Sequence, residues 1–332
     1  MKSKVKNTAL KKIVPAVAML AMSATMLSTA TYAWFTMSKE VKMTGLNMTA
    51  TVSEGIEISL ASVTGSNSLN FSGPSYYEEN HPMDDDNEKG WKSSVLVGQY
   101  YEKIGKLKPA SSINAENLYY ATNASDKGRQ ASTFDPITLG EAAMADLTPF
   151  GTLAAESTVV SANETSGTEG YYVDIPVHIR TTKKAATDGE KGPLYCKLII
   201  KNSTTDNVDA KLYKAIRVAF VPITTGTGST TKIFGIDDVY FNSEVVGTAG
   251  GLVSSAGIVT KDFVGDTFSD GDGVDSGLKL PLAPSGQNYG HLDFYVRVWL
   301  EGQSTSCFDD NAGQSWNIDL AFSLDEFGTG NP

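Results

Sequence analysis

Histidines, cysteines and short catalytic motifs are scarce in this chain. Its 332 residues include three histidines and two cysteines, and no two histidines have the close spacing of metal ligands on one element. The motifs His-Glu-x-x-His and Gly-x-Ser-x-Gly, a phosphate loop and a dinucleotide fingerprint are all missing. These absences remove the usual signatures of zinc peptidases, serine hydrolases and nucleotide-dependent enzymes. The sequence therefore favours a protein that is not an enzyme.

The few thiol and imidazole groups allow several arrangements. Cys196 and Cys307 can form a disulfide in an oxidising compartment, which would stabilise the fold by about 4 kcal/mol, or they remain two buried thiols. A zinc site of His178, Cys196, His291 and Cys307 is a further alternative, although zinc ligands normally occur as closely spaced pairs. The spacing instead favours a solvent-side His178, a His291 in a loop, and cysteines that act apart from both.

The N-terminus has the order of an export signal. The first twelve residues include five lysines and no acidic residue, and an apolar segment runs from Ile13 to Leu27. That segment has the length of a signal-peptide helix and is short for a membrane span. Small residues predict cleavage after Ala33, with Thr31 and Ala33 in the peptidase pockets and Trp34 as the new N-terminus. An uncleaved anchor is the alternative, because the uncharged run continues through Phe35.

Cleavage would leave a strongly acidic mature chain. Removing residues 1–33 leaves 299 residues, all 38 acidic residues, and 22 of the 27 basic ones, so the formal charge becomes −16. Nucleic acid is not expected as a partner, because phosphate binding needs a basic patch. Mutual repulsion keeps such a chain soluble and makes any self-assembly sensitive to salt.

Alternation of apolar and polar residues predicts an all-β fold. The alternating segments are 46–52, 56–60, 171–180, 194–201, 216–222, 233–241, 292–301 and 316–325. Short strands with turn residues between them are typical of an antiparallel β-sandwich or barrel, here with one wet face on each sheet. Pro176 has no amide hydrogen, which predicts that its strand lies near an edge or a bulge.

Residues 62 to 170 lack this pattern. They are rich in small and polar residues, and we interpret them as loops and short elements inserted between strands. A short helix is predicted between Pro136 and Leu147. The insertion is not expected to form a second domain with its own core.

No cofactor is expected, but acidic residues in a glycine-rich turn suggest a bound calcium ion as an alternative. Four aspartates lie in or just before the turn Ser-Asp-Gly-Asp-Gly-Val-Asp-Ser-Gly: Asp266, Asp270, Asp272 and Asp275. Carboxylate oxygens on such a loop are ligands that calcium prefers. The spacing is not that of an EF-hand, because Val274 occupies a ligand position. The acidic run from Asp84 to Glu88 is typical of a solvated loop.

Four segments resemble a known family or related exported proteins. Thr31-Tyr-Ala-Trp-Phe-Thr36 and the strand Gly45-Leu-Asn-Met-Thr-Ala-Thr-Val52 resemble the N-terminus of the TasA/camelysin group. Those are secreted proteins of Gram-positive bacteria that a dedicated signal peptidase processes. Val296-Arg-Val-Trp-Leu-Glu-Gly302 and Pro109-Ala-Ser-Ser112 are similar to recurrent segments of related exported proteins.

The resemblance implies a jelly-roll β-sandwich preceded by a signal helix. Residues 1–33 would be the signal peptide, and residues 34–332 one domain with a loop-rich insertion at about 62–170. It also implies a secreted subunit of a biofilm matrix or surface fibre. The expected partners are the signal peptidase, other copies of the chain, and cell-wall or matrix components. Contact with the membrane is expected only through the uncleaved signal. The alternatives are a monomeric secreted adhesin or carbohydrate-binding module, and a camelysin-like metallopeptidase.

Strand donation is the assembly mechanism that the new N-terminus suggests. A sheet edge exposes unpaired amide and carbonyl groups, and a strand from a neighbour can satisfy them. The residues expected to be donated are Trp34, Phe35, Met37, Leu46, Met48 and Val52. In the alternative, residues 34–52 pair within their own subunit and the protein is a monomer.

Overall fold

The fold is nearly all β over the residues that the structure describes, as the alternation predicted. We use a computed structural model of the chain. The described residues are 42–50, 55–60, 62–64, 68–70, 91–112, 114–121, 134–140, 142–149, 169–202, 212–223, 228–235, 258–260, 267–269, 274–302, 304, 306–307 and 314–327.

Nineteen strands and two single-turn helices make up this part of the chain. The strands are β1 (Lys42–Ala50), β2 (Ile56–Leu60), β3 (Ser62–Thr64), β4 (Ser68–Asn70), β5 (Ser94–Leu96), β6 (Tyr101–Ile104), β7 (Pro109–Ala110), β8 (Leu118–Ala121), β9 (Phe134–Ile137), β10 (Leu147–Pro149), β11 (Tyr172–Thr181), β12 (Lys191–Asn202), β13 (Ile216–Pro222), β14 (Lys232–Gly235), β15 (Ile258–Thr260), β16 (Thr267–Ser269), β17 (Val274–Pro281), β18 (Gly290–Glu301) and β19 (Ser315–Ser323). The helices are α1 (Val97–Tyr100) and the 3-10 turn η1 (Leu212–Ala215).

Two large sheets contain most of these strands. Sheet A has the order β16, β12, β19, β1, β5, with β17 also pairing with β12. Sheet B has the order β15, β14, β13, β18, β11, β2, with β7 also pairing with β18. The longest pairing, β11 with β18, is antiparallel, and so is the pairing of β12 with β19. Three small two-stranded sheets join β3 with β4, β6 with β10, and β8 with β9.

Aromatic side chains from both large sheets meet between them. Phe322 of sheet A lies edge-on to Phe220 and Phe294 of sheet B, with ring centroids 5.4 and 5.7 Å away. Phe220 also contacts Phe234, at 5.2 Å. Edge-to-face pairs contribute about 0.5–1.5 kcal/mol each beyond the area that they bury. This cluster therefore holds the sheets face to face, as in a sandwich.

The alternation identified the core correctly on seven strands. Val52 lies outside the described residues, and every described apolar residue that the alternation placed on one face is buried: Leu46, Met48, Ala50, Ile56, Ile58, Leu60, Val173, Ile175, Val177, Ile179, Cys196, Leu198, Ile200, Ile216, Val218, Phe220, Leu292, Phe294, Val296, Val298, Leu300, Trp316, Ile318, Leu320, Phe322 and Leu324. Side chains on a strand alternate between faces, so period two alone locates these residues.

The segment 91–96 connects the edges of the two sheets. Lys92 exchanges backbone hydrogen bonds with Ile58 of sheet B, at 2.8 and 3.0 Å. One residue later, the carbonyl of Ser93 accepts a hydrogen bond from the amide of Ala50 in sheet A, at 2.6 Å, and β5 continues beside β1. This crossing covers one side of the sandwich.

Two predictions about individual elements need correction. The predicted wet outer face of sheet B is wrong, because Asp174, His178, Arg180 and Arg297 on it are all buried. The predicted helix from Pro136 to Leu147 is also wrong. Over the described part of that range, the chain forms the end of β9 and the start of β10. Residues 118–121 of β8 pair with β9 and hold it extended.

The strand of Pro176 lies near an edge of sheet B, as predicted, because β11 is next to β2, the last strand in the order of that sheet. The pairing of β11 with β2 begins at Val177, one residue after the proline. A proline is tolerated here because the missing amide falls just beyond the end of that ladder.

Candidate functional site

The N-terminal strand β1 occupies a seat between two strands of the same chain. It pairs in parallel with β19 from Lys42 beside Ser315 to Ala50 beside Phe322, with a register shift between Met43 and Gly45. On its other side, residues 47–49 pair antiparallel with β5. We call this position, between β19 and β5, the β1 seat.

The side chains of β1 explain why it fits this seat. Leu46, Met48 and Ala50 are at most 1% exposed and belong to the main hydrophobic core, whereas Thr49 is exposed. Full burial of a leucine or methionine side chain contributes roughly 1.5–3 kcal/mol. No tight turn connects β1 to either neighbour, because β19 is more than 260 residues away and β5 follows β2, β3 and β4. Side-chain burial and backbone pairing therefore hold β1 in place.

The residues predicted for cleavage and donation are only partly within the described structure. Leu46 and Met48 lie in the β1 seat of their own chain. Thr31, Ala33, Trp34, Phe35, Met37 and Val52 lie outside the described residues.

Asp275 is the only one of the four calcium candidates that the structure describes, since Asp266, Asp270 and Asp272 lie outside it. Its carboxylate lies 3.3 Å from Nζ of Lys232 and 3.9 Å from Nζ of Lys279, and accepts a hydrogen bond from the Gly277 amide. Burial alone raises the pKa of Asp275, but the Gly277 amide and the two ammonium groups outweigh it and lower the pKa below its usual value.

We expect calcium to act no more strongly on the wild-type protein than on an Asp275→Asn variant. Two lysines already neutralise the carboxylate, so a calcium ion would have to displace them. The measurement is the melting midpoint of both proteins with millimolar calcium, with magnesium as the control for ionic strength. A midpoint rise that occurs with calcium in the wild type and is lost in the variant would show that Asp275 is a ligand.

Both cysteines are buried thiols in this structure, with no disulfide between them. Cys196 lies in β12 with its side chain in the core, and Cys307 follows β18. This is the second of the two arrangements that the sequence allowed.

The two described histidines do not meet the cysteines in a zinc site. His178 and His291 lie on the outer face of sheet B, whereas Cys196 faces the core from sheet A. His178 is buried, not on the solvent side, and His291 lies in β18, not in a loop. Among the described residues, no three His, Cys, Asp or Glu side chains are arranged to hold a metal ion.

A Ser-His-Asp row crosses three neighbouring strands on this face. Ser59 pairs with His178, and Nδ1 of His178 lies 2.6 Å from Oδ1 of Asp293. A serine nucleophile needs a hydrogen bond to its base. Ser59 is fully buried, and its hydroxyl has no hydrogen-bond partner in the described part of the chain. The row therefore lacks the nucleophile–base contact of a hydrolase.

An ion pair beneath the insertion anchors it to sheet B. Arg297 donates to both carboxylate oxygens of Asp174, at 2.7 and 2.6 Å, and to the carbonyl of Ala115 at 2.5 Å. Its guanidinium also lies 4.8 Å from the centre of the Tyr172 ring. Burial alone lowers the pKa of Arg297, but the hydrogen bonds and charge of Asp174 raise it above the usual value. The arginine therefore stays charged and joins β11, β18 and the insertion.

Two stretches that carried the family resemblance lie against each other here. β7 pairs in parallel with Leu300 and Glu301, and the Gly302 amide donates to the Ala110 carbonyl at 2.8 Å. The buried Glu301 carboxylate accepts hydrogen bonds from the Ser111 hydroxyl and the Ser112 amide. We call the ion pair and this contact together the insertion clamp.

A second contact lies at the other end of the same face. The guanidinium of Arg180 lies between the rings of Trp91 and Tyr289, 4.4 and 3.9 Å from their centres, and its Nε donates to Glu57 at 2.6 Å. Cation–π contacts of a desolvated cation contribute about 2 kcal/mol. This contact fixes the segment 91–96 where it crosses between the sheets.

Sequence reasoning missed both contacts. Four charged residues occur at outward positions of two long strands, where such residues are mostly exposed, so the sequence does not mark them as buried: Asp174, Arg180, Arg297 and Glu301. The partners in the insertion could not be paired from sequence, because they are up to 190 residues away.

No family model, curated protein or solved structure matches this chain. The resemblance described from the sequence therefore stays a prediction. Within the described residues, no helix is long and apolar enough to cross a bilayer. Two features of the described structure bear on function: the β1 seat and the insertion clamp.

Proposed function

We propose that this protein is a secreted structural subunit of an extracellular matrix or surface fibre, and that copies assemble by donating their N-terminal strand. The observation that carries the proposal is the β1 seat, where a terminal strand supplies core side chains to two strands that no tight turn connects to it. The proposed architecture is a jelly-roll sandwich.

Exchange between copies needs no new contact. If β1 of one copy occupies the seat of the next, Leu46 and Met48 fill the same core positions and the backbone pairing is identical. Such an interface is head-to-tail, and a head-to-tail interface whose rotation does not close produces a filament.

In this proposal, export controls assembly. Cleavage after Ala33 would release a strand that the membrane had held, with Trp34, Phe35 and Met37 ahead of β1 as additional anchors. The acidic mature chain would repel other copies at low ionic strength, so salt or divalent cations would promote assembly. The proposed partners are other copies of the chain, with cell-wall or matrix components around them.

The test is a disulfide between β1 and β19 on the outer face of sheet A. Thr49 is paired with Ala321, so a Thr49→Cys/Ala321→Cys variant can be oxidised. If copies exchange β1, oxidation of the assembled protein will give a covalent ladder on a non-reducing gel, and electron micrographs will show fibres. If β1 instead pairs with β19 of its own chain, the protein is a monomer and oxidation will give only an intramolecular disulfide.

The same row supplies the control. Lys197 of β12 also pairs with Ala321 of β19, and these two strands belong to the same subunit whether or not β1 is exchanged between copies. Lys197→Cys/Ala321→Cys should therefore form only an internal bond. A T49C/A321C variant that behaves like this control in every salt and divalent-cation condition would rule out strand exchange.

A further inference from the structure

Two tyrosine rings lie in contact where the insertion meets sheet B. Tyr120 is in β8 of the insertion, and Tyr171 is the residue before β11. Their ring centroids are 5.2 Å apart and their planes are inclined by 33°. The residues are 51 positions apart in sequence, so the contact joins two separate elements.

The surroundings leave both phenols open to chemistry. Each side chain is half-buried, and neither hydroxyl makes a hydrogen bond to any described residue. The ammonium of Lys108 lies 5.8 Å from the centre of the Tyr171 ring and 3.4 Å from the Glu169 carboxylate. Burial and then the neighbouring Tyr120 raise the pKa of Tyr171, so its ring is a neutral phenol at pH 7 and an oxidant must remove a proton together with the electron.

We propose that Tyr120 and Tyr171 are a site of oxidative cross-linking, at which a peroxidase-class enzyme and hydrogen peroxide produce an intramolecular dityrosine. Each phenol loses one electron and one proton, and the two ring radicals form a carbon–carbon bond between their ortho positions. The ring hydrogens then move to oxygen and restore both aromatic rings. One hydrogen peroxide accepts the two electrons and two protons and becomes two waters.

Proximity makes this pair the favoured site. Reactive groups held in contact behave as if their local concentration were far above that of any second molecule, so the internal bond forms before links between copies. Rings joined in this way have somewhat closer centroids, which a small change of side-chain torsion provides. The bond would tie the insertion to β11 beside the insertion clamp and would act independently of strand exchange.

The experiment treats the dilute purified protein with peroxidase and hydrogen peroxide, and then with trypsin. Lys127 and Arg129 lie between the two tyrosines, so trypsin leaves Tyr120 and Tyr171 on different peptides unless they are bonded. We expect a linked peptide two hydrogens lighter than the sum of its parts, from monomeric protein, with dityrosine fluorescence. Tyr120→Phe or Tyr171→Phe should each reduce its yield about tenfold or more, because neither leaves a matched phenol in contact.

Tyr195→Phe is the control, since Tyr195 is a half-buried tyrosine on the opposite sheet. It should leave the yield unchanged, and each phenylalanine variant keeps its ring and should keep its melting midpoint. Free tyrosine in a parallel reaction verifies that the oxidant is active. The proposal is overturned if that reaction gives dityrosine while the folded protein gives no linked peptide. It is also overturned if Y171F gives the wild-type yield or if only cross-linked dimers appear.

Discussion

Replacing Arg297 with alanine is expected to destabilise the protein by about 3–5 kcal/mol, because it leaves a buried carboxylate without its cation. Asp174 is 4% exposed and receives two hydrogen bonds from Arg297. The Ala115 carbonyl would also lose a donor. Since small proteins are stable by about 5–15 kcal/mol in total, this is a large fraction of the whole. Urea denaturation of the wild type and variant measures it.

An exposed ion pair on the other sheet provides the matched control. Nζ of Lys201 lies 2.6 Å from Oδ2 of Asp319, but the two side chains are 45% and 30% exposed. Lys201→Ala should therefore cost only about 0–1 kcal/mol. A double variant, Asp174→Leu with Arg297→Met, removes both buried charges and should recover much of the loss. If R297A costs no more than K201A, the insertion clamp does not stabilise the fold.

The inward faces of the strands could be predicted because they depend on one local property. Alternate side chains on a pleated strand point to opposite sides, so Leu292, Phe294 and Val296 identify a buried face without knowledge of the partner. The same reasoning found Leu46 and Met48. It could not show that β1 pairs in parallel with β19, because register depends on residues at the far end of the chain.

The burial of the outer face of sheet B could not be predicted from sequence. A polar face that is covered and a polar face that is exposed to solvent give the same alternation of apolar and polar residues. Asp174 and Arg297 look like ordinary solvated residues until the strands β11 and β18 bring them together across 123 positions. The insertion that covers them has little periodicity of its own. Its position is determined by hydrogen bonds to Glu301 and Arg297, which local sequence does not reveal.

The predicted helix between Pro136 and Leu147 failed for a related reason. Local composition allowed a helix, but β9 pairs with β8 and the Gly140 amide donates to the Tyr172 hydroxyl at 2.8 Å. Tertiary contacts of this kind commonly override a weak helix propensity.

A chain that begins at residue 51 is expected not to fold, and a synthetic peptide of residues 42–52 is expected to restore its structure. Removal of β1 takes three buried side chains from the core, leaves β19 paired on one side only, with β12, and removes the partner of β5. Losing a buried leucine or methionine costs about 2–5 kcal/mol each, so two such losses approach the entire stability of a typical domain. Circular dichroism and the melting midpoint measure the loss of folded structure in the truncated chain and its recovery when the peptide is added.

The recovery follows from the topology of the seat. The peptide reaches the same pairing because β1 is connected to β19 and β5 only through long stretches of chain. A peptide with Met48→Asp is the control, since a carboxylate at that fully buried position would be desolvated without a partner. A truncated chain that keeps its fold without any peptide would show that the seat needs no occupant. Strand exchange would then have no energetic basis, whereas rescue by the wild-type peptide alone would show that a strand from outside the chain can complete the sheet.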